Sequence, residues 1–407
     1  MNPFDLYRSL AKKTDSKILL VVFDGLGGHP TPAMGMSELE AAKTPNLDAL
    51  VAEGACGLST PISAGITPGS GPAHLGLFGY EPLDYIIGRG VLSALGIGFD
   101  LQPGDVAARI NFCTMNSDGL ITDRRAGRIA TEEGAKRCKI LSEIKLPGVE
   151  IFVQPEMDYR AAAIFRGAGL CGKLSDSDPQ TTGVPPLDVK PLNPPATQIK
   201  EAAHTANLVT RFIAEARSRL KGMEPANMVL LRGFDDHLQI PSFQHIFKLK
   251  PVCIATYPMY KGLSKLVGMD VLNAGSTLES ELETLKANWD KYDFFFFHIK
   301  KTDSMGEDGD FNGKVDVLQH GDTLFPEFKK LNPDVIAVTG DHSTPCLLKS
   351  HSWHPVPFVV WSPYCRPDNV QRFDERSIAE GSLNGMKHVD IMPLLMANAL
   401  KFEKFGA

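Results

Sequence analysis

Asp24, Asp303 and Asp341 each follow an apolar run, in "KILLVVFDGLGG" (Lys17 to Gly28), "YDFFFFHIKKTD" and "DVIAVTGDHS". His342 comes directly after Asp341, Glu307 stands four residues after Asp303 in "TDSMGEDGDF", and "SHSWHPVP" adds His351 and His354. Hard oxygen donors combined with imidazole suit Mn²⁺, Zn²⁺ or Mg²⁺. The spacing of Asp303 and Glu307 allows both carboxylates on one face of a helical turn. Two ligand groups result: Asp24 with Asp341 and His342, and Asp303 with Glu307 and a histidine. A pair of cations is a device for displacement at phosphorus, because it polarises the phosphoryl oxygens and acidifies a nearby hydroxyl.

A hydroxyl in the right setting is Ser70, in "ITPGSGPAHLGLFG" (Ile66 to Gly79). It lies between two glycines, is followed by a proline and opens a helical pattern. Two roles are open to it, helix N-cap or nucleophile at the positive end of a helix dipole. Thr67, the nearest rival, precedes Pro68, is biased to extended backbone and lacks the flanking glycines. Taken singly, each of these features has an ordinary explanation. Asp24 before glycines can be a turn residue, His342 a core histidine, and "EDGD" (Glu307 to Asp310) a solvated acidic turn. Their order along one chain, three strand ends and one glycine-flanked serine, is what gives them weight.

The elements that must position these residues follow from the same runs. Short β-branched or aromatic stretches ending in an acid read as buried parallel strands, with "PVPFVVWSP" a further strand after His351. "TPNLDALVAEG" (Thr44 to Gly54) has helical spacing and a glycine stop. Strands alternating with helices imply an α/β fold, a doubly wound, mostly parallel sheet that gathers ligands beyond its carboxyl edge. From about Gly90 to Arg232 the character changes. "RINFCTMNSDGLITDRRAGRI" and "IFVQPEMDYRAAAIFRG" read as strands with turns, "DPQTTGVPPLDVKPLNPPATQ" as an irregular loop and "KEAAHTANLVTRFIAEARSRL" as a helix. This organisation predicts a core made of residues 1–90 and 233–407, interrupted by an inserted α+β domain over 91–232.

Composition narrows the class. The chain has 407 residues, 43% hydrophobic and 22% charged, with a formal net charge of −6. That is ample for a large core, and it lacks the basic excess of a nucleic-acid binder. No apolar stretch is long enough to span a membrane, and "MNPFDLYRSLAKKTDSK" lacks a signal-peptide core. The seven cysteines are scattered without a CxxC pair, which points to a reducing, cytoplasmic setting. Oligomeric state is not legible.

Together these stretches resemble the archaeal-type, cofactor-independent phosphoglycerate mutases of the alkaline phosphatase superfamily. The resemblance runs through nearly the whole chain and rests on "VVFDGLGG", "AAKTPNLDAL", "TPGSGPAHLGLFGY", "IIGRG", "ITDRRAGRI", "YPMYKGL", "KTDSMGEDGDF" and "TGDHSTPC...HSWHPVP". It implies interconversion of 3-phosphoglycerate and 2-phosphoglycerate without 2,3-bisphosphoglycerate. Ser70 would carry the phosphoryl group transiently, serving as both cap and nucleophile. One cation would take Asp24, Ser70, Asp341 and His342; the other Asp303, Glu307 and His351, with His354 incidental.

Lys261 matches a lysine near the family's active site. A small phosphorylated three-carbon acid needs cationic forks, and the inserted domain offers Arg109, Arg125, Arg128, Arg160 and Arg166 beside Asp123. Glu307 stands where the family has histidine, which shifts the expected cation from zinc towards manganese or magnesium. Gln180 also replaces a usual histidine, and Lys300–Lys301 stands where the family tends to have glycine. A related homoserine kinase or phosphohydrolase, or a non-catalytic homologue, would share the same metal and serine core.

Overall fold

The computed structural model describes residues 2–236 and 240–406. Its chain divides into two compact units, one of residues 1–86, 240–257 and 267–407, the other of residues 87–239 and 258–266.

The first unit is built on an eight-stranded sheet. Ile18–Phe23 lies at its centre, paired in parallel with Phe294–Ile299 on one side and Val335–Thr339 on the other. Every residue of these three strands is buried, as apolar runs covered on both faces must be. Pro251–Ile254 and Asp270–Val271 continue the parallel order on one flank. On the other flank Val356–Trp361 runs antiparallel to both of its neighbours, Val335–Thr339 and Ala55–Thr60. The sheet is therefore mostly parallel with one reversed strand. Leu19, Val21, Phe23, Phe295 and Phe297 share a core with Leu47, Leu50 and Val51 of the helix Pro45–Glu53. That helix starts with proline at its first position and stops at Gly54, as its sequence predicts.

The consequence for chemistry is registry. Phe23 pairs with Ile299 and Val22 with Thr339. Adjacent parallel strands thus end level, and the residues that follow them, Asp24, Lys300 to Asp303, and Gly340 to His342, emerge together. The turn after Ile18–Phe23 is clamped to the neighbouring loop. Leu26 and Gly27 bridge to Ser343, which bridges in turn to Ser352. Gly25 has φ +63°, and a Cβ there would lie 2.5 Å from Thr344 Oγ1, so only glycine fits.

The second unit centres on Val106–Met115, which pairs antiparallel with Arg160–Arg166 and with Met228–Asp236. Glu150–Met157 and Ile121–Asp123 complete a five-stranded sheet. The long helix Ile199–Arg219 packs Leu208, Val209 and Phe212 into its core. The helix Pro258–Leu266 belongs to this unit, whereas the sequence reading placed it, with Lys261, in the core. Gly262 explains the assignment: it seats the helix so closely on Arg89–Gly96 that a Cβ would lie 2.1 Å from the Leu92 carbonyl.

Lys314, on the helix Phe311–Asp322, holds the first unit's loops from behind. It is fully buried, and its ammonium donates to the carbonyls of Gly25 (2.9 Å), Gly27 (3.1 Å) and Thr344 (2.9 Å). Burial pulls its pKa below the ordinary lysine range, with Glu38 opposing that pull. Lys314→Met strands three buried acceptors, each costing about 1–3 kcal/mol. Thermal melting is expected to show a loss of at least about 2 kcal/mol. An unchanged melting temperature would mean the three carbonyls do not depend on Lys314.

Candidate active site

Two groups of side chains at the carboxyl edge of the sheet have metal-ligand geometry: Asp24, Asp341 and His342, and Asp303, His342 and His351. His342 Nε2 lies 3.1 Å from Asp341 Oδ2 and 3.5 Å from Asp24 Oδ1. His351 Nε2 lies 3.6 Å from Asp303 Oδ1, and its ring stacks on that of His342 at 3.6 Å. His354 stands apart, hydrogen-bonded to Ser352 Oγ at 2.9 Å.

Ser70 is the first residue of the helix Ser70–Leu77, and Gly69, not Ser70, is the N-cap. This corrects the expectation that the serine caps the helix. Its Oγ instead lies 3.2 Å from His342 Nε2, aimed at the ligand cluster. The helix opening still supplies what a phosphoryl group would want, since the amides of the first turn have no intrahelical acceptor. Thr67 is exposed and takes no part.

Glu307 departs from its expected place. It is exposed and outside both groups. It sits a full turn beyond Asp303, about 6 Å along the helix axis, on the last turn of Lys301–Asp308. Asp303 is buried at the start of that helix.

What lies between the two groups is Lys300. Its Nζ is 3.0 Å from Asp24 Oδ2 and also contacts Asp303. Burial works against charge on Lys300, but Asp24 and Asp303 outweigh it and raise its pKa. Asp303 is buried too, yet Lys300 and His342 hold its carboxyl below the usual range. Asp24 is pushed up to about 7, first by burial and then by Asp341. Asp341 stays well below the usual range because His342 and His74 outweigh its burial.

Histidines unremarked in the sequence form the floor. His74 Nδ1 contacts the Ser70 carbonyl at 2.8 Å and Asp341 Oδ2 at 3.3 Å. His298 Nε2 is 3.6 Å from Asp24 Oδ2, and burial together with His74 keeps its pKa well below normal. His388 Nε2 contacts the Asp341 carbonyl at 3.1 Å. His74 had a signal, since it follows Ser70 by four residues on a helix. His298 and His388 had none locally; strand registry and tertiary packing bring them in.

The donor set fits divalent cations. Of the three buried carboxylates, two share the single Lys300 ammonium. The Nδ1 of His351 meets the Pro68 carbonyl at 3.0 Å, so it carries the proton and leaves the Nε2 lone pair facing Asp303. A lone pair facing a carboxylate calls for a cation between them. Asp24, Asp341, His342 and Ser70 would hold one, Asp303 and His351 the other.

The remaining candidates lie in the second unit. Arg109 pairs across the sheet with Arg232, while Arg160 pairs with Asn111, two residues along, so all three arginines share one sheet face. Arg232 lies 3.4 Å from Asp178, which also takes two hydrogen bonds from Arg124. Arg232 and Asp178 were not anticipated. Asp123 accepts the amides of Arg125 (2.8 Å) and Gly127 (2.6 Å), so it shapes the "DRRAGR" turn that displays Arg125 and Arg128. Arg166 is committed to Asp105, through hydrogen bonds of 2.8 and 2.7 Å. Lys261 is half-buried on its helix. Gln180 adopts φ +59° in the irregular loop.

If the clusters are cation sites, Mn²⁺ at about one hundred times its Kd stabilises the fold by about 2.7 kcal/mol per site. Thermal shift should show this, EDTA should reverse it, and Glu307→Ala should leave it in place. No shift, or a shift lost in Glu307→Ala, would contradict the assignment.

Comparison with known proteins accords with this geometry. A family model described as 2,3-bisphosphoglycerate-independent phosphoglycerate mutase matches residues 51–227. Over 412 aligned residues the chain is 50% identical to the probable 2,3-bisphosphoglycerate-independent phosphoglycerate mutase of Thermus thermophilus, with 100% of both chains covered. Among solved structures, a Pyrococcus horikoshii protein matches with a TM-score of 0.83 at 28% identity, over 97% of this chain and 100% of that one. The cofactor-independent phosphoglycerate mutase of Thermoplasma acidophilum matches at 0.70 and 33% identity, over 94% of this chain and 100% of that one. The chain belongs to the 2,3-bisphosphoglycerate-independent phosphoglycerate mutase family.

Proposed function

We propose that this protein interconverts 3-phosphoglycerate and 2-phosphoglycerate through a phosphoserine at Ser70, with two divalent cations, manganese foremost, and without 2,3-bisphosphoglycerate. The observation that carries the reading is the placement of Ser70 Oγ, 3.2 Å from His342 Nε2 at the opening of a helix, in a chain of this family.

Bound cations supply Lewis acidity towards the phosphoryl oxygens. The residues do the rest. Ser70 Oγ attacks phosphorus, and the bond from phosphorus to the substrate oxygen breaks. The resulting phosphoserine lies against the free amides of the helix opening, where the dipole favours negative charge. The other hydroxyl of glycerate then attacks phosphorus and releases Ser70. Lys300 contributes a fixed positive charge beside the reacting group, held in place by Asp24 and Asp303. His74 fixes the first helical turn by its contact with the Ser70 carbonyl.

We assign the chemistry to the first unit and recognition of the substrate's anionic groups to the second. Arg109, Arg160 and Arg232 on one sheet face, and Arg125 and Arg128 on their turn, are the recognition groups. Arg166 is assigned to folding, because Asp105 occupies it.

In a coupled assay with manganese and no 2,3-bisphosphoglycerate, the protein should convert 3-phosphoglycerate. Ser70→Ala should lower turnover by about three orders of magnitude or more. Because Ser70 makes no cap bond, its melting temperature should hardly move. Mass spectrometry of the wild-type protein quenched with substrate should find phosphate on Ser70. Turnover that survives in Ser70→Ala would refute the nucleophile.

A further inference from the structure

Thr344 is a fully buried hydroxyl that the reaction itself does not use. Its Oγ1 lies 2.8 Å from Asp303 Oδ1 and 3.0 Å from His342 Nδ1. His342 is common to both candidate cation groups, and Asp303 belongs to one of them.

A threonine hydroxyl has one proton to donate. Asp303, ion-paired with Lys300, is an acceptor only, so the hydroxyl proton goes to Asp303 Oδ1. The contact with His342 then closes only if Nδ1 carries a proton and donates it to Thr344 Oγ1. His342 is thereby fixed with Nε2 turned towards Asp24, Asp341 and Ser70. We propose that Thr344 is a positioning residue that sets the tautomer of His342, the histidine common to both ligand groups, and aims Asp303 through the same hydroxyl.

The seat of this side chain is closely fitted. A Cβ on Gly25 would lie 2.5 Å from Thr344 Oγ1, and one on Gly306 would lie 2.2 Å from the Thr344 carbonyl and 2.9 Å from its Cγ2. Thr344 is also fastened through its backbone, its amide donating to the Gly27 carbonyl at 3.0 Å and its carbonyl accepting from Lys314. The hydroxyl therefore has little freedom to find other partners. A partner that orients a metal-binding histidine through its second nitrogen typically changes metal affinity by about 10- to 100-fold.

The inference rests on reading the clusters as cation sites, and its test separates the two. Mn²⁺ binding by the full chain is measured by calorimetry for the wild type, Thr344→Val and Thr344→Ser. Valine keeps the shape and removes the hydroxyl, so affinity at both sites should fall about 10- to 100-fold. Serine keeps the hydroxyl and should restore most of that affinity, which a purely packing role would not do. Valine binding like the wild type, or serine failing as valine does, overturns the proposal. Absence of Mn²⁺ binding by the wild type overturns the cation reading instead. Independently of any variant, nitrogen-15 NMR of the metal-free wild-type protein should find the His342 proton on Nδ1. A neutral His342 protonated on Nε2 overturns the proposal even if Thr344→Val does not fold.

Discussion

The rest of the first unit depends on one electrostatic constraint: Asp24, Asp303 and Asp341 are buried together at the ends of adjacent strands. Like charges in a low-dielectric setting repel strongly, and burial without compensation is expensive. The surroundings answer this in several ways. Lys300 sits against two of the three carboxylates. Asp341 takes the Gly25 amide at 3.0 Å and contacts two histidines. Even so, Asp24 is pushed up to about 7. A cluster so hard to hold as bare carboxylates is readily understood as one completed by cations.

The scaffold's less obvious features serve the same end. Lys314 ties Gly25, Gly27 and Thr344 from behind, and it is itself a buried charge placed where backbone carbonyls can satisfy it. Ser343 joins the glycine turn to the segment carrying His351 and His354. Glu375 accepts the Gly28 amide at 2.7 Å and the Ser37 hydroxyl at 2.6 Å. Loops that would otherwise be mobile are fixed by polar contacts made inside the protein, which lets the ligand atoms be arranged before any ion arrives.

Legibility followed chemistry that is local in sequence. Strand-ending acids and the glycine-flanked serine were visible because each carries its context within a few residues, and the parallel sheet gathered them. The fold class was visible for the same reason, since an unbroken run such as Phe294 to Phe297 has few other uses. Glu307 was misplaced because i, i+4 spacing fixes a helical face but not how deep along the axis the cluster extends. Ser70 was misread as a cap because a serine before a helix usually is one, while here the chain turns one residue earlier, at Gly69. Lys300 was seen only as part of a lysine pair standing where the family tends to have glycine. His298, His388 and the Arg109–Arg160–Arg232 face depend on strand pairing across long separations, which no local pattern encodes.

The central claim is that the buried carboxylates and histidines form a two-cation site with Ser70 at its edge. Anomalous diffraction from crystals grown with Mn²⁺, collected either side of the manganese edge, tests it most directly. Two peaks are expected, one bounded by Asp24, Asp341, His342 and the Ser70 hydroxyl, the other by Asp303 and His351, with Glu307 ligating neither. Peaks confined to surface acids, or a single peak with Glu307 as its ligand, would contradict it.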